Sequence, residues 1–231
     1  PELFARAAIG FDGINALTTT GGVRQVALLD EALSMLGPTD SVLKARVMGR
    51  LAASLMDRSL SCRDVPRART LSDSALPMAR RIGDPVTLVN VLMMWHIAHN
   101  GPADTDKRLA AMQEAISVAE AAGERELVAL AHELRCNDLL EMGALVEFEH
   151  DLQMLHGIAD ELSLPLLRWS MLNRQAVWEQ SAGRYQRAEN LVTELKDTRS
   201  LVGDRISYLK MFFLLREQGR LEEIADDVRA T

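Results

Sequence analysis

His132 and Cys136 stand four residues apart, a spacing that puts an imidazole and a thiol on one face of a helix. With Glu133 beside them they offer the nitrogen, sulfur and oxygen donors that zinc accepts. A structural zinc wants about four ligands, and no convergent set is visible, so the better reading is a pair of packed side chains and no metal. His96 and His99, with Trp95 beside them and the helix break at Gly101, allow two readings. One is a polar edge of a ligand groove. The other is a satisfied pair near a helix C-terminus, where the backbone dipole favours an imidazolium. Larger catalytic signatures are missing. There is no Gly-x-x-x-x-Gly-Lys-Ser/Thr loop to cradle phosphates, and Thr20-Gly21-Gly22 lacks both the lysine and a preceding strand. Gly-x-Ser-x-Gly and His-Glu-x-x-His are absent too. The expectation is a non-enzymatic chain with no cofactor.

Composition narrows the partners. The chain has 231 residues, 48% hydrophobic, 4% aromatic and 26% charged. That balance suits a folded domain rather than a disordered one, and so few aromatics argue against a many-stranded sandwich or barrel. A net charge of -7 is a poor match for nucleic acid or an anionic membrane, so neither is expected as a partner. Two cysteines, Cys62 and Cys136, make no disulfide framework, and a reducing, cytoplasmic setting is the default. No apolar run approaches the roughly 20 residues of a membrane span, and no signal peptide opens the chain. It begins Pro1-Glu2 without an initiator Met, which reads as a fragment of a larger multidomain protein.

The elements that must position these side chains repeat. Gly83, Gly123, Ser163 and Gly203 are spaced forty residues apart, each at the end of an apolar-periodic run. A second set of breaks, Gly101, Gly143, Gly183 and Gly219, lies between and after them. Each unit therefore holds two segments of helix length. Leu145, Phe148, Leu152, Leu155, Ala159 and Leu162 step by three and four, as one face of a helix does. The expected helices run near 2–16, 24–36, 41–57, 65–82, 85–99, 105–122, 125–142, 145–162, 165–181, 185–201, 205–218 and 221–230. Asp40, Asp84 and Thr105 are the expected N-caps, and Thr18 to Gly22 the first loop. A helix pair cannot bury its apolar face alone. Stacked pairs can, so the expected fold is all-α: a right-handed α-solenoid of antiparallel helix pairs forming a single domain over 1–231.

First helices line the inner face of such a stack. Superposed on the forty-residue period, they bring Trp95, His99, Arg135, Asp138, Arg168, Arg174, Gln175, Trp178 and Tyr208 toward one concave groove. Aromatic and arginine side chains are the usual anchors of recognition surfaces. The alternative is that Trp169 and Trp178 fill the core and that Arg135, Arg168 and Arg174 pair with Glu133, Asp138 or Glu179. Charged runs of the second helices, Asp106-Lys107-Arg108, Glu147 with Glu149, and Glu194-Lys196-Asp197, read as the solvated outer face. The last segment carries an apolar stripe, Leu221, Ile224, Ala225 and Val228, with no following helix to cover it, which points to homo-oligomer contacts or further repeats.

The string Gly183-Arg184-Tyr185-Gln186-Arg187-Ala188 resembles the Gly-x-Tyr-x-x-Ala opening of the second helix in tetratricopeptide repeats. The period of forty exceeds that family's usual period of about 34 residues, which implies helices about a turn longer. A HEAT-like geometry is the nearest alternative. Three further strings, Leu3 to Ala8 with Ala27 to Leu33, Leu71 to Pro85, and Leu214 to Leu221, resemble the helical region of large bacterial regulators, LuxR-type, maltose-activator-like and ATPase-linked. That resemblance implies an attached ATPase, an output domain, and a role as a sensor or scaffold. The expected function is accordingly non-catalytic: binding a small ligand, a peptide or a neighbouring domain in the concave groove. The alternative is a pure oligomerisation or assembly module.

Overall fold

The computed structural model describes residues 1–11, 22–56, 64–197 and 201–224. Among these the regular structure is helical throughout, with eleven α-helices and no strand. They are α1 (Glu2–Gly10), α2 (Gly22–Met35), α3 (Val42–Ser54), α4 (Val65–Ile82), α5 (Pro85–Ala98), α6 (Thr105–Ala122), α7 (Arg125–Met142), α8 (Leu145–Leu162), α9 (Pro165–Ser181), α10 (Tyr185–Asp197) and α11 (Leu201–Glu217). Short 3₁₀ turns occupy Pro102–Asp104 and Leu221–Ile224. No helix among the described residues is long and apolar enough to cross a membrane.

Helices α4 and α6 to α9 lie where the sequence places them, because their ends are written in local chemistry. Gly123 adopts the left-handed conformation at φ 74. Its amide donates to Glu120 O at 3.1 Å, and Glu124 N reaches back to Ala119 O at 2.9 Å. This pair of bonds satisfies carbonyls that the helix end would leave open. The same pair closes α7 at Gly143 and α9 at Gly183. At the third forty-residue break Ser163 takes the role at φ 51, a conformation that costs a side-chain-bearing residue about 1 kcal/mol. N-termini are equally local. Ser41, Asp64 and Asp84 accept from the amides of Lys44, Arg67 and Thr87 at 3.2, 3.1 and 2.9 Å.

Several boundaries are corrected by tertiary competition. Asp40 does not cap α3. It pairs with Arg81 of α4 at 2.7 Å, and Ser41 caps instead. Thr105 is the first residue of α6 rather than its cap. Asp104 stands there, but its carboxylate turns to Arg69 and Lys107 at 2.7 and 3.1 Å. Helix α5 stops at Ala98, before the expected break at Gly101, which is extended and opens the 3₁₀ turn. Gly203 breaks nothing: it lies within α11, so the last unit is offset from α9 by thirty-six residues at both ends rather than forty. The expected helical segments at 11–16, 57 and 198–200, the loop at 18–21, Cys62 and the stripe beyond Ile224 fall partly or wholly outside the described residues.

The chain groups into two compact units, Pro1–Asp151 and Leu152–Thr231. In the first, each of the helices α1 to α7 packs on the next in sequence, and α1, α3, α5 and α7 also pack in series, each on the next of the set. Ala5, Ala8, Leu29, Ala32, Val47, Leu51, Ala52 and Ala68 form one core cluster. Ala45, Met48, Ala75, Met78, Ala79 and Val91 form another. The many alanines let helix axes approach, while each buried Leu or Val contributes about 2 kcal/mol. Gly49 of α3 does the same on α5, where an added Cβ would stand 3.4 Å from Met94 Cβ. In the second unit α10 packs on both α9 and α11 around Ala176, Ala188, Val192 and Leu214.

Candidate functional site

The second unit holds a cavity of about 730 Å³. Its walls come from the end of α8, the Ser163-Leu164-Pro165 turn, the inner half of α9 and one side of α10. Ala159, Met171 and Leu172 are buried and form an apolar floor with Leu191. Charge is confined to the mouth. Arg168 Nη2 pairs with Glu194 Oε1 at 2.8 Å, and His156 Nε2 stands 3.4 Å from Asp160 Oδ2. All four side chains are about half exposed or more. Such pairs are worth little while solvated, so a ligand's charges can exchange with them at small cost. Pro165 opens α9 and Leu164 precedes it without a capping side chain. First-turn amides of α9 therefore lack a side-chain acceptor next to the cavity. The volume falls within the range of small-molecule sites, and an apolar floor with a few polar groups at the rim is their usual make-up.

Two of the residues singled out from the sequence, Arg168 and Gln175, line this cavity. Arg174, Trp178 and Tyr208 belong to the same unit but not to its lining. Arg174 stands near Lys210 of α11. Burial, with the like charge of Arg174 as a smaller cause, pushes the Lys210 ammonium down to about 8. Trp178 is half-buried with the Arg184 guanidinium 5.9 Å from its ring. Tyr208 is half-buried, and among the described residues its shielded hydroxyl has no hydrogen-bond partner. Trp169 is buried in the core, as one reading of the sequence has it.

The other four lie in the first unit, in three separate settings. Trp95 stacks on His99 with ring centroids 3.9 Å apart, and its indole donates to Asp73 Oδ1 at 2.8 Å. His99 is buried and shares that carboxylate at 3.3 Å. Arg135 sits one repeat later. It donates to Gln113 and stands 2.7 Å from Asp151. Trp95 with Asp73 and Arg135 with Gln113 thus occupy equivalent places forty residues apart. Asp138, one of the expected partners of Arg135, meets His96 and Arg108 instead. His132 also turns to Asp151, at 3.1 Å, and among the described residues no three His, Cys, Asp or Glu converge as metal ligands.

Asp138 lines no groove. It is 0% exposed, with His96 Nε2 at 2.8 Å from one oxygen and Arg108 Nη1 at 3.1 Å from the other. Arg108, expected on the solvated face, is 1% exposed. Its guanidinium donates to Asn100 at 3.0 Å and Thr105 at 3.2 Å and pairs with Glu141. The cavity's acid Glu194 is equally hidden in the sequence, inside a run that reads as ordinary solvated charge.

No protein-family model matches this chain, and a search of curated proteins found no match.

Proposed function

We propose that this chain is a non-catalytic sensor or scaffold module, a right-handed solenoid of tetratricopeptide-like helix pairs, that takes a small ligand or short peptide in the cavity between α8, α9 and α10. The observation that carries the reading is the composition of that cavity: an apolar floor of Ala159, Met171, Leu172 and Leu191 beneath a rim of His156, Asp160, Arg168 and Glu194. Both signs of charge at the rim, around an apolar base, suit an amino-acid-like or peptide ligand with an amine, a carboxylate and a hydrophobic body. The solenoid reading draws support from the serial packing of α1, α3, α5 and α7, and from left-handed helix ends recurring at Gly83, Gly123 and Ser163. The resemblance to ATPase-linked bacterial regulators supports a cytoplasmic role beside a switch domain. Ligand binding would bias that switch only through different affinities for its two states.

The test is a thermal-shift screen of the chain against amino acids, dipeptides, sugars and nucleotides. A ligand at 100 times its dissociation constant adds about 2.7 kcal/mol, a rise of roughly 5–10 °C for a chain of this size. The expected hits are zwitterions with an apolar side chain, and the double variant Arg168→Ala, Gln175→Ala removes them. A screen without hits, or hits that survive that double variant, sinks the cavity reading and leaves the assembly module.

A further inference from the structure

Counted from the first residue of each helix, equivalent positions show which faces meet. His96, the twelfth residue of α5, meets Asp138, the fourteenth of α7. In the second unit the twelfth residue of α9 is Ala176 and the fourteenth of α11 is Leu214, and these two share a core cluster. The face of α5 that carries His96 also carries Val89 and Met93, at helical spacing. Their places in α9 are held by Trp169 and Asn173. Val91 and Met94 lie on the other side of α5, against Gly49 of α3. Their places in α11 are held by Ser207 and Lys210. Trp169 and Asn173 therefore face α11, and Ser207 and Lys210 face back to α9, in the turns next to the Ala176–Leu214 contact.

In α5 those four places are apolar. Between α9 and α11 they are polar, and the fold does not pair them. Trp169, Asn173 and Ser207 are 4, 8 and 0% exposed. The indole Nε1, Asn173 Oδ1 and Ser207 Oγ have no hydrogen-bond partner. The Lys210 ammonium is buried as well, and among the described residues it makes no ion pair or hydrogen bond. Its charged neighbour is a like one, Arg174 of α9. A buried polar group without a partner is costly, and an uncompensated charge more so. Water serves a hydroxyl or an indole, but it does not neutralise an ammonium beside a guanidinium. Indole and ammonium only donate, the serine hydroxyl can donate, and the asparagine amide presents hydrogens after a half-turn. The partner that satisfies all four is an anion with several acceptor oxygens.

We propose that the facing sides of α9 and α11 form a binding site for a small oxyanion, a sulfate- or phosphate-like group held by Lys210, the Trp169 indole, the Ser207 hydroxyl and the Asn173 amide. The α8–α10 cavity uses other residues of α9, Arg168, Met171, Leu172 and Gln175. The anion site is therefore separate and stands whether or not that cavity binds a ligand.

The test is isothermal titration of the full chain with sulfate, at constant ionic strength in chloride. The expected result is saturable binding at one site. Lys210→Met weakens it by about tenfold to a hundredfold, the worth of a hydrogen bond to a charged group. That variant removes a buried charge, so it folds, and circular dichroism melting verifies it. Ser207→Ala, a small change, weakens binding by about three- to tenfold. Arg187→Ala, which removes an exposed cation of α10, leaves it unchanged. Inorganic phosphate and glycerol phosphate then separate the sources of the group, and either result upholds the site. Equal affinity identifies the free ion, and tighter binding of the ester identifies a phosphoryl group carried by a larger molecule. The proposal is overturned if neither sulfate nor phosphate binds saturably. It is also overturned if Lys210→Met and Ser207→Ala both leave binding unchanged, or if Arg187→Ala weakens it as much as Lys210→Met does.

Discussion

His96 on α5 and Asp138 on α7 meet in the interior of the first unit, Nε2 to Oδ2 at 2.8 Å, although forty-two residues separate them in the chain. A carboxylate only accepts, so Nε2 carries the shared proton. Arg108 completes the cluster from α6, close enough to Asp138 for ionic attraction but off the line of a hydrogen bond. Three helices are thereby tied through groups that cannot be left alone in a dry interior. Asp138→Leu removes the buried acceptor of His96 and leaves Arg108 with Glu141 as its one carboxylate among the described residues, and costs about 1–3 kcal/mol in urea unfolding. The double variant Arg108→Met, Asp138→Leu also removes the buried cation and recovers part of that loss. A double-variant loss equal to the sum of the two single losses would show that the pair carries no coupling.

Lys210 supplies a pH signature. Its folded-state value, about 8, lies below its ordinary 10.5. The unfolded chain therefore binds more protons between those values, and stability rises with pH across that window. Below about pH 8 the penalty of the buried charge is fully present. Lys210→Met removes it and stabilises the chain by about 1–3 kcal/mol at pH 7. The difference between variant and parent closes as pH climbs from 8 toward 10.5. A difference that stays flat over that range would place the ammonium in water.

Asp84 acts with the opposite sign. The Thr87 hydroxyl and backbone amide hold its carboxyl below the ordinary 3.8. The cap's stabilisation is present above that value and lost as pH falls through the lower folded one. Asp84→Ala costs about 1 kcal/mol at neutral pH, Asp84→Asn costs less, and the gap narrows in strong acid. Guanidinium unfolding at neutral and acid pH reads all three.

Gly123 and Ser163 close helices at equivalent places with opposite tolerance. Both are left-handed, at φ 74 and φ 51. Gly123→Ala costs about 1 kcal/mol, since it forces a Cβ into that conformation. Ser163→Gly relieves the same strain and is neutral or stabilising by up to about 1 kcal/mol, with the greater freedom of the unfolded chain setting the lower bound. Thermal melts read both, and a loss at Ser163→Gly as large as that at Gly123→Ala would sink the strain argument.

The sequence alone determined what short-range chemistry controls. Helix ends at Gly83, Gly123, Ser163, Gly143 and Gly183 are decided within four or five residues by backbone conformation and local hydrogen bonds, so the all-helical fold and most boundaries were legible. Competition from distant partners was not. Asp40 leaves a cap for Arg81, Asp104 turns to Arg69, and α11 begins ahead of Gly203. The periodicity also brought Trp95 and Arg135 to equivalent places, yet it could not say that their acceptors are Asp73 and Gln113. Burial of charge was least visible of all. Arg108 reads in sequence like its solvated neighbours Asp106 and Lys107, and only the packing of α5 and α7 against α6 removes it from water. The same limit hid the cavity's acids: a glutamate at position 194 looks the same beside an empty surface as beside Arg168, because the distance between them is set by how α9 and α10 cross and not by either residue.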